Sequence, residues 1–333
     1  MIRIVGAGAW GTALAVLWSH GKGSDAASEP IELVARSTAD ADAIRLVHRN
    51  QRRLRGIDLP QSIAIRSLDE TLAEAGVEDL VVVAVPTDSV EKTLRRIDLV
   101  RSPLLLVIKG LSVAGRRPSE SALAAGIDGQ RIALLSGPNL AGEIAAAMPA
   151  AAVLAGPLPL VEALQLRLAR PTLRLYVTDD VIGVEVAGAM KNVIAIAVSA
   201  VRSLGYGENA AAAILSRGVA EMVRLVEACG GRGETACGLA GVGDLVLTAS
   251  NTGSRNARFG ALLASGESVA SAVATIGATI EGIPTAHGAL ALASRLGVEL
   301  PITAAVISVL DHGTPIAAIA KGLLGRSPAR EWR

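Results

Sequence analysis

Apolar positions fall into two regimes along this chain. Up to about residue 180 they come as short continuous runs separated by polar or glycine-bearing turns; beyond it they recur at helical spacing. Ile2–Val5, Ile31–Arg36, Leu80–Val85, Leu104–Ile108, Ile132–Leu135, Ala151–Ala155 and Leu173–Val177 read as strands. The continuous run at Leu80–Val85, and its repeats after it, are typical of strands buried on both faces of a parallel sheet. Helices are expected after the first strand, through about Ser19, over Asp40–Gln51 and near Leu160–Arg170, and Gly21–Pro30 reads as a surface loop. In the second regime no strand is convincing. Asp180–Val201, Ala210–Cys229, Phe259–Ala264, Val269–Ile276, Thr285–Leu296, Ala304–Leu310 and Ile316–Leu324 all suit helices. The pattern predicts an α/β domain over 1–180 followed by an all-α domain over 181–333.

The first strand runs into Gly6-Ala7-Gly8-Ala9-Trp10-Gly11 and then an apolar helix, so the G-x-G-x-x-G stands in the context that gives it meaning. Gly6 allows the tight turn, Gly8 lets the backbone approach a pyrophosphate, and Gly11 lets helix pack on strand. This makes the first domain Rossmann-type and dinucleotide-binding. At the end of the second strand, where NAD-selective domains carry an acidic residue, the chain has Arg36-Ser37-Thr38. An arginine and two hydroxyls suit a 2′-phosphate, which favours NADP(H) without excluding NAD(H); an ordinary surface arginine is the other reading. Later strands end in Pro86-Thr87, Lys109-Gly110 and Ser136-Gly137-Pro138-Asn139, at the sheet edge where such folds bind ligands.

Asp180–Val201 is apolar and small, yet has Lys191 and Asn192 at its middle. Glu185, Gly188, Asn192, Ala195 and Ser199 share one helical stripe with Lys191 at its edge. About 20 apolar residues suffice to cross a bilayer, but an ammonium at mid-span is costly, and a buried helix lining a polar site fits better. A desolvated lysine can serve as proton donor and acceptor, and both a catalytic and a structural lysine satisfy the pattern. In Gly238–Gly260 a helical turn would bring Asp244 and Thr248 onto one face. There Ser254-Arg255-Asn256 supplies a hydroxyl, a guanidinium and an amide, which suits an anion site or a helix-capping surface loop.

Composition narrows the function classes. Of 333 residues 51% are hydrophobic and 2% aromatic, so the core is aliphatic and a folded chain is expected. Lys and Arg total 32 against 31 acidic residues, a balance that implies no nucleic-acid partner, and the basic run Arg49–Arg55 reads as a solvated face. Cys229 and Cys237 are too few for a disulfide framework, no metal-ligand spacing is present, and no targeting segment precedes Ile2–Val5. A cytoplasmic protein without metal or membrane insertion is expected.

GAGAWGTALA at 6–15, KGL at 109–111, SGPNLAGE at 136–143, GAMKNVIAIA at 188–197, GVGDLVLT at 241–248 and SRNARFG at 254–260 together resemble the bacterial NAD(P)-dependent glycerol-3-phosphate dehydrogenases. Ile280-Glu281-Gly282 and LGVELPIT at 296–303 extend the likeness over essentially the whole chain. The resemblance implies reversible reduction of dihydroxyacetone phosphate to sn-glycerol 3-phosphate for glycerophospholipid synthesis, by a homodimer. It implies Lys191 as proton donor and acceptor, with Lys109 beside the substrate. Gly137, Asn139, Asn192, Asp244, Thr248, Ser254, Arg255 and Asn256 would bind substrate, Arg255 anchoring its phosphate. Ala9, Trp10, Arg36, Lys109, Ala141, Arg255, Thr279 and Glu281 would contact the dinucleotide. Asn139-Leu140 departs from the family's usual hydroxyl residue followed by Phe. Two other readings share the motifs: a two-domain dehydrogenase for another small hydroxy substrate, and a dinucleotide-sensing protein without turnover.

Overall fold

The computed structural model describes residues 1–21, 29–70, 75–97 and 101–324; residues 22–28 of the expected surface loop lie outside that set. The chain divides into two compact units, Met1–Lys109 with Arg117–Glu185, and Gly110–Arg116 with Val186–Arg333. The division falls after Glu185, inside the long apolar helix, where the change of pattern put it at 180. It also gives Gly110–Arg116 to the second unit, which hydrophobic periodicity does not foretell.

In the first unit β1 (Ile2–Val5) leads into α1 (Ala9–Ser19), β2 (Ile31–Ala35), α2 (Thr38–Val47), β3 (Ile63–Ser67) and β4 (Leu80–Val83). After α3 (Val90–Leu94) come β5 (Leu104–Leu106), α4 (Pro118–Ala124), β6 (Ile132–Ser136), α5 (Ala141–Ala145), β7 (Ala150–Ala155), α6 (Leu158–Leu168) and β8 (Leu173–Thr178). Among the described residues these strands make one sheet in the order β3-β2-β1-β4-β5-β6-β7-β8. β1 is central to the first half, with Ile2 opposite Ile31 on one side and Leu80 on the other. All neighbours run parallel except β6 and β7, which are antiparallel.

Every residue of β1, β2, β4, β5 and β6 is buried, as continuous apolar runs in a doubly covered sheet require. β3, which sequence reading passes over, is an edge strand with strict in-out alternation, Ile63, Ile65 and Ser67 inward. Such a five-residue run carries too few apolar positions to stand out. α2 is shorter than the expected Asp40–Gln51: Ser37 accepts a hydrogen bond from Asp40 N at its start, and His48 in the left-handed region ends it.

α7 (Val181–Ser203) carries the chain from the first unit into the second. α8 (Gly207–Ala228), α9 (Gly233–Cys237), α10 (Asp244–Ser250), α11 (Arg255–Ala264), α12 (Val269–Ile276), α13 (Gly282–Leu296), α14 (Pro301–His312) and α15 (Ile316–Leu324) follow. No strand occurs among the described residues here. Phe259, fully buried, packs in a core with Val193, Ile196, Leu263 and Val306. Small residues let the helices close on one another: a Cβ on Gly260 would meet Ile196 O at 2.3 Å. α7 is long and apolar enough to cross a membrane, but 83% of its most apolar window is buried inside the protein.

Within the first unit, buried Glu185 accepts hydrogen bonds from Ser119 N at 2.7 Å and Ser119 Oγ at 2.6 Å. Burial outweighs those bonds and pushes its carboxyl up to about 7 from an ordinary 4.5. The folded state therefore holds this proton to higher pH than the unfolded chain does. The associated stability is full below about 4.5 and is lost as pH rises through about 7. Glu185→Gln keeps partners for Ser119 and removes the ionisation, so it should gain up to about 3 kcal/mol over wild type at slightly alkaline pH and nothing in acid. Thermal unfolding across that range checks this, and parallel pH profiles for the two proteins would contradict it.

Candidate active site

The glycine turn after β1 has the shape a dinucleotide needs. Gly6 has φ +117°, and a Cβ there would sit 2.4 Å from Ala84 O; a Cβ on Gly11 would sit 2.1 Å from Gly6 O, so α1 presses directly onto the turn. Gly8 faces open space, the room a pyrophosphate would fill. No side chain caps α1 and no acidic residue stands in its first turn, which leaves its N–H groups and dipole available to an anion. Half-buried Ala9 and Trp10 form that turn, and Trp10 Nε1 is a buried donor without a protein partner. These features fit a nicotinamide dinucleotide.

Arg36 lies exposed just past β2, with no acidic residue at the strand's end. The neighbouring Ser37 hydroxyl caps α2 and donates to Asp40 Oδ2 at 2.9 Å. At the ends of β5 and β6, Lys109 Nζ donates to Gly137 O at 2.7 Å. Asn139 Nδ2 donates to Ala151 O at 3.2 Å while its Oδ1 is buried without a partner. Lys109, Gly137 and Asn139 therefore share one locality, with half-buried Ala141 opening α5 just after them.

The second unit builds its polar cluster around α7. Lys191, 7% exposed, places Nζ 3.2 Å from Asp244 Oδ1 and 2.9 Å from Thr248 Oγ1, and Thr248 Oγ1 donates to Asp244 Oδ1 at 3.2 Å. α10 carries both partners one turn apart, as the i, i+4 spacing predicts. Asp244 is itself almost wholly buried. Removing two charges from water is costly, and their closeness offsets that cost only in good geometry. The result is an ammonium held in place in a mostly apolar helix.

Next to it a chain of amides has a fixed polarity. Gly282 N, which can only donate, gives its hydrogen to Asn256 Oδ1 at 3.1 Å, so Asn256 Nδ2 must donate onward to Asn192 Oδ1 at 2.8 Å. Asn192 is left presenting Nδ2, a buried donor with no protein partner. A buried unpaired donor costs about 1–3 kcal/mol, so Nδ2 is a group for which an acceptor from outside the protein, a ligand oxygen or a water, is favourable.

Ser254 caps α11, accepting from Ala257 N at 3.4 Å, and exposed Arg255 donates from Nη1 to Thr279 O at 2.6 Å. Thr279 is exposed and Glu281 stands half-buried at the start of α13. Hydrogen bonds thus join Lys109 to Gly137 in the first unit, and Lys191 to Asp244 and Thr248, Asn192 to Asn256, and Arg255 to Thr279 in the second. One further residue, Asn50, was hidden within a run of arginines: its buried side chain bonds the glycine turn.

The N-terminal model of the NAD-dependent glycerol-3-phosphate dehydrogenases matches residues 1–158, and the C-terminal model of the same family matches 180–321. A glycerol-3-phosphate dehydrogenase (NAD(P)+) of Acidovorax ebreus is 40% identical over 331 residues, covering 99% of both chains. One from Variovorax paradoxus is 42% identical, covering 99% of this chain and 98% of its own. The crystal structure of a glycerol-3-phosphate dehydrogenase from Coxiella burnetii superposes with a TM-score of 0.87 at 34% identity, covering 98% of each chain.

Proposed function

The chain belongs to the NAD-dependent glycerol-3-phosphate dehydrogenase family, and on that premise we propose that it reduces dihydroxyacetone phosphate reversibly to sn-glycerol 3-phosphate, a precursor of glycerophospholipids. The cofactor is NADP(H) or NAD(H), held by the Gly6–Gly11 turn with Ala9 and Trp10. The reduced dinucleotide, when bound, supplies the hydride that the substrate's carbonyl carbon accepts. As that carbon is reduced, Lys191 Nζ gives a proton to the carbonyl oxygen, and in the reverse direction it takes one from the hydroxyl. Asp244 and Thr248 orient the amine, and Asn192 Nδ2 donates to the same oxygen region. Arg255 anchors the phosphate with Ser254 and Asn256, while Lys109, Gly137 and Asn139 position the substrate. Ala141, Thr279 and Glu281 are further dinucleotide contacts, and Arg36 biases the ribose site toward a 2′-phosphate. The observation that carries this reading is Lys191: a buried ammonium, braced by a carboxylate and a hydroxyl, beside an unpaired buried amide donor.

The working form is a cytoplasmic homodimer with α7 inside the fold and not in a bilayer. Light scattering on the purified chain should give twice the monomer mass.

Steady-state assays test the reading. Oxidation of NADPH or NADH should require dihydroxyacetone phosphate and yield an equal amount of sn-glycerol 3-phosphate. Reduction of unphosphorylated keto acids in preference would move the assignment to a related hydroxy-acid dehydrogenase; binding without any oxidation would make the chain a sensor. Arg36→Ala should raise the KM for NADPH about tenfold more than that for NADH, since only the former loses a charge-assisted bond. Equal changes would remove Arg36 from the ribose site.

A further inference from the structure

Arg49–Arg55 reads as a solvated basic face, and Arg49, Arg52, Arg53 and Arg55 are indeed exposed. Asn50 in their midst is 3% exposed. Its Nδ2 donates to two acceptors, Ala7 O at 2.9 Å and Thr12 Oγ1 at 2.8 Å. Its Oδ1 accepts from Arg53 N at 3.2 Å, and its backbone carbonyl accepts from Leu54 N at 2.8 Å. The amide can face only one way, because the Ala7 carbonyl only accepts and the Arg53 N–H only donates.

Ala7 is the residue between Gly6 and Gly8, and Thr12 lies in the first turns of α1. One side chain therefore grips the glycine turn and the helix whose N–H groups the turn presents. Glycine leaves a backbone more freedom than any other residue, so a turn built for close approach has least stiffness of its own. Holding it in the binding shape beforehand spares the ligand that ordering cost. We infer that Asn50 is a positioning residue for the dinucleotide, locking the turn against α1 so that their N–H groups face the pyrophosphate. Aspartate is a poor replacement: a carboxylate has no hydrogen for the Ala7 carbonyl, keeps Thr12 only if that hydroxyl turns to donate, and would set a negative charge beside the phosphates. The inference rests on the NAD(P)-dependent reading of the chain.

The test is equilibrium binding and kinetics with the whole protein. Asn50→Ala should weaken NADPH and ADP-ribose about tenfold each, and Asn50→Asp more than that, while adenosine affinity and the KM for dihydroxyacetone phosphate stay within about twofold. A purely structural role would lower Tm yet leave the affinities of the folded protein unchanged. That result overturns the inference, as does an equal loss for adenosine and ADP-ribose. Should Asn50→Ala not fold, Thr12→Val decides: it removes one acceptor and leaves the bond to Ala7. About a threefold loss for ADP-ribose alone supports the clamp, and no loss overturns it. If wild-type protein binds none of these ligands, the functional reading fails, which is a different outcome from wild type binding and the Asn50 variants binding equally.

Discussion

Lys191→Ala lowers kcat by about a thousandfold or more, since proton transfer alone contributes about 10²–10⁴ and a cation at the developing alkoxide adds to it. The expected change in NADPH affinity is below about twofold, because the amine's work is at the reacting oxygen and not in holding the dinucleotide. Truncation also leaves Asp244 buried without its ammonium at 3.2 Å. Some loss of Tm, on the order of a few kcal/mol in stability, accompanies the loss of turnover. The two effects separate cleanly: stability is read by unfolding, and kcat by saturating both substrates with folded enzyme. A near-normal kcat would refute the assignment.

Arg255→Ala raises the KM for dihydroxyacetone phosphate by about 10- to 100-fold, the range for losing a charge-assisted bond to phosphate. The side chain is exposed and its guanidinium already donates to Thr279 O. Unphosphorylated dihydroxyacetone should lose little. The diagnostic quantity is the ratio of kcat/KM for the two substrates, which collapses in the variant if Arg255 reads the phosphate. An equal loss for both substrates would mean that Arg255 acts elsewhere, and a rise confined to the KM for NADPH would make it a cofactor contact alone.

Much of this arrangement was legible in the chain because the chemistry is local in sequence. Gly6, Gly8 and Gly11 announce their turn through spacing, and Lys191 announces itself by interrupting an aliphatic run. Asp244 and Thr248 sit one helical turn apart, so their shared face follows from periodicity once α10 is granted. What stayed hidden depends on partners far along the chain. The polarity of Asn192 is set by Gly282 through Asn256, across three helices, and no local pattern encodes it. Asn50 reaches back 43 residues to Ala7 from within a run whose arginines dominate any reading of it. Ser37 adds a role that its place in the sequence does not announce: its hydroxyl caps α2. The antiparallel turn of β7 against β6 and the transfer of Gly110–Arg116 to the second unit are likewise matters of topology, which strand-by-strand hydrophobicity does not carry.

Amine rescue of Lys191→Ala puts the whole reading to one measurement. Turnover of NADPH with dihydroxyacetone phosphate is followed as methylammonium is added, with NADPH affinity measured alongside. The account predicts that lost turnover returns in proportion to the amine while NADPH binding stays unchanged, since the missing part is a proton-bearing cation at one oxygen. Turnover that never fell, or that fell together with NADPH binding and does not respond to any small amine, would contradict it.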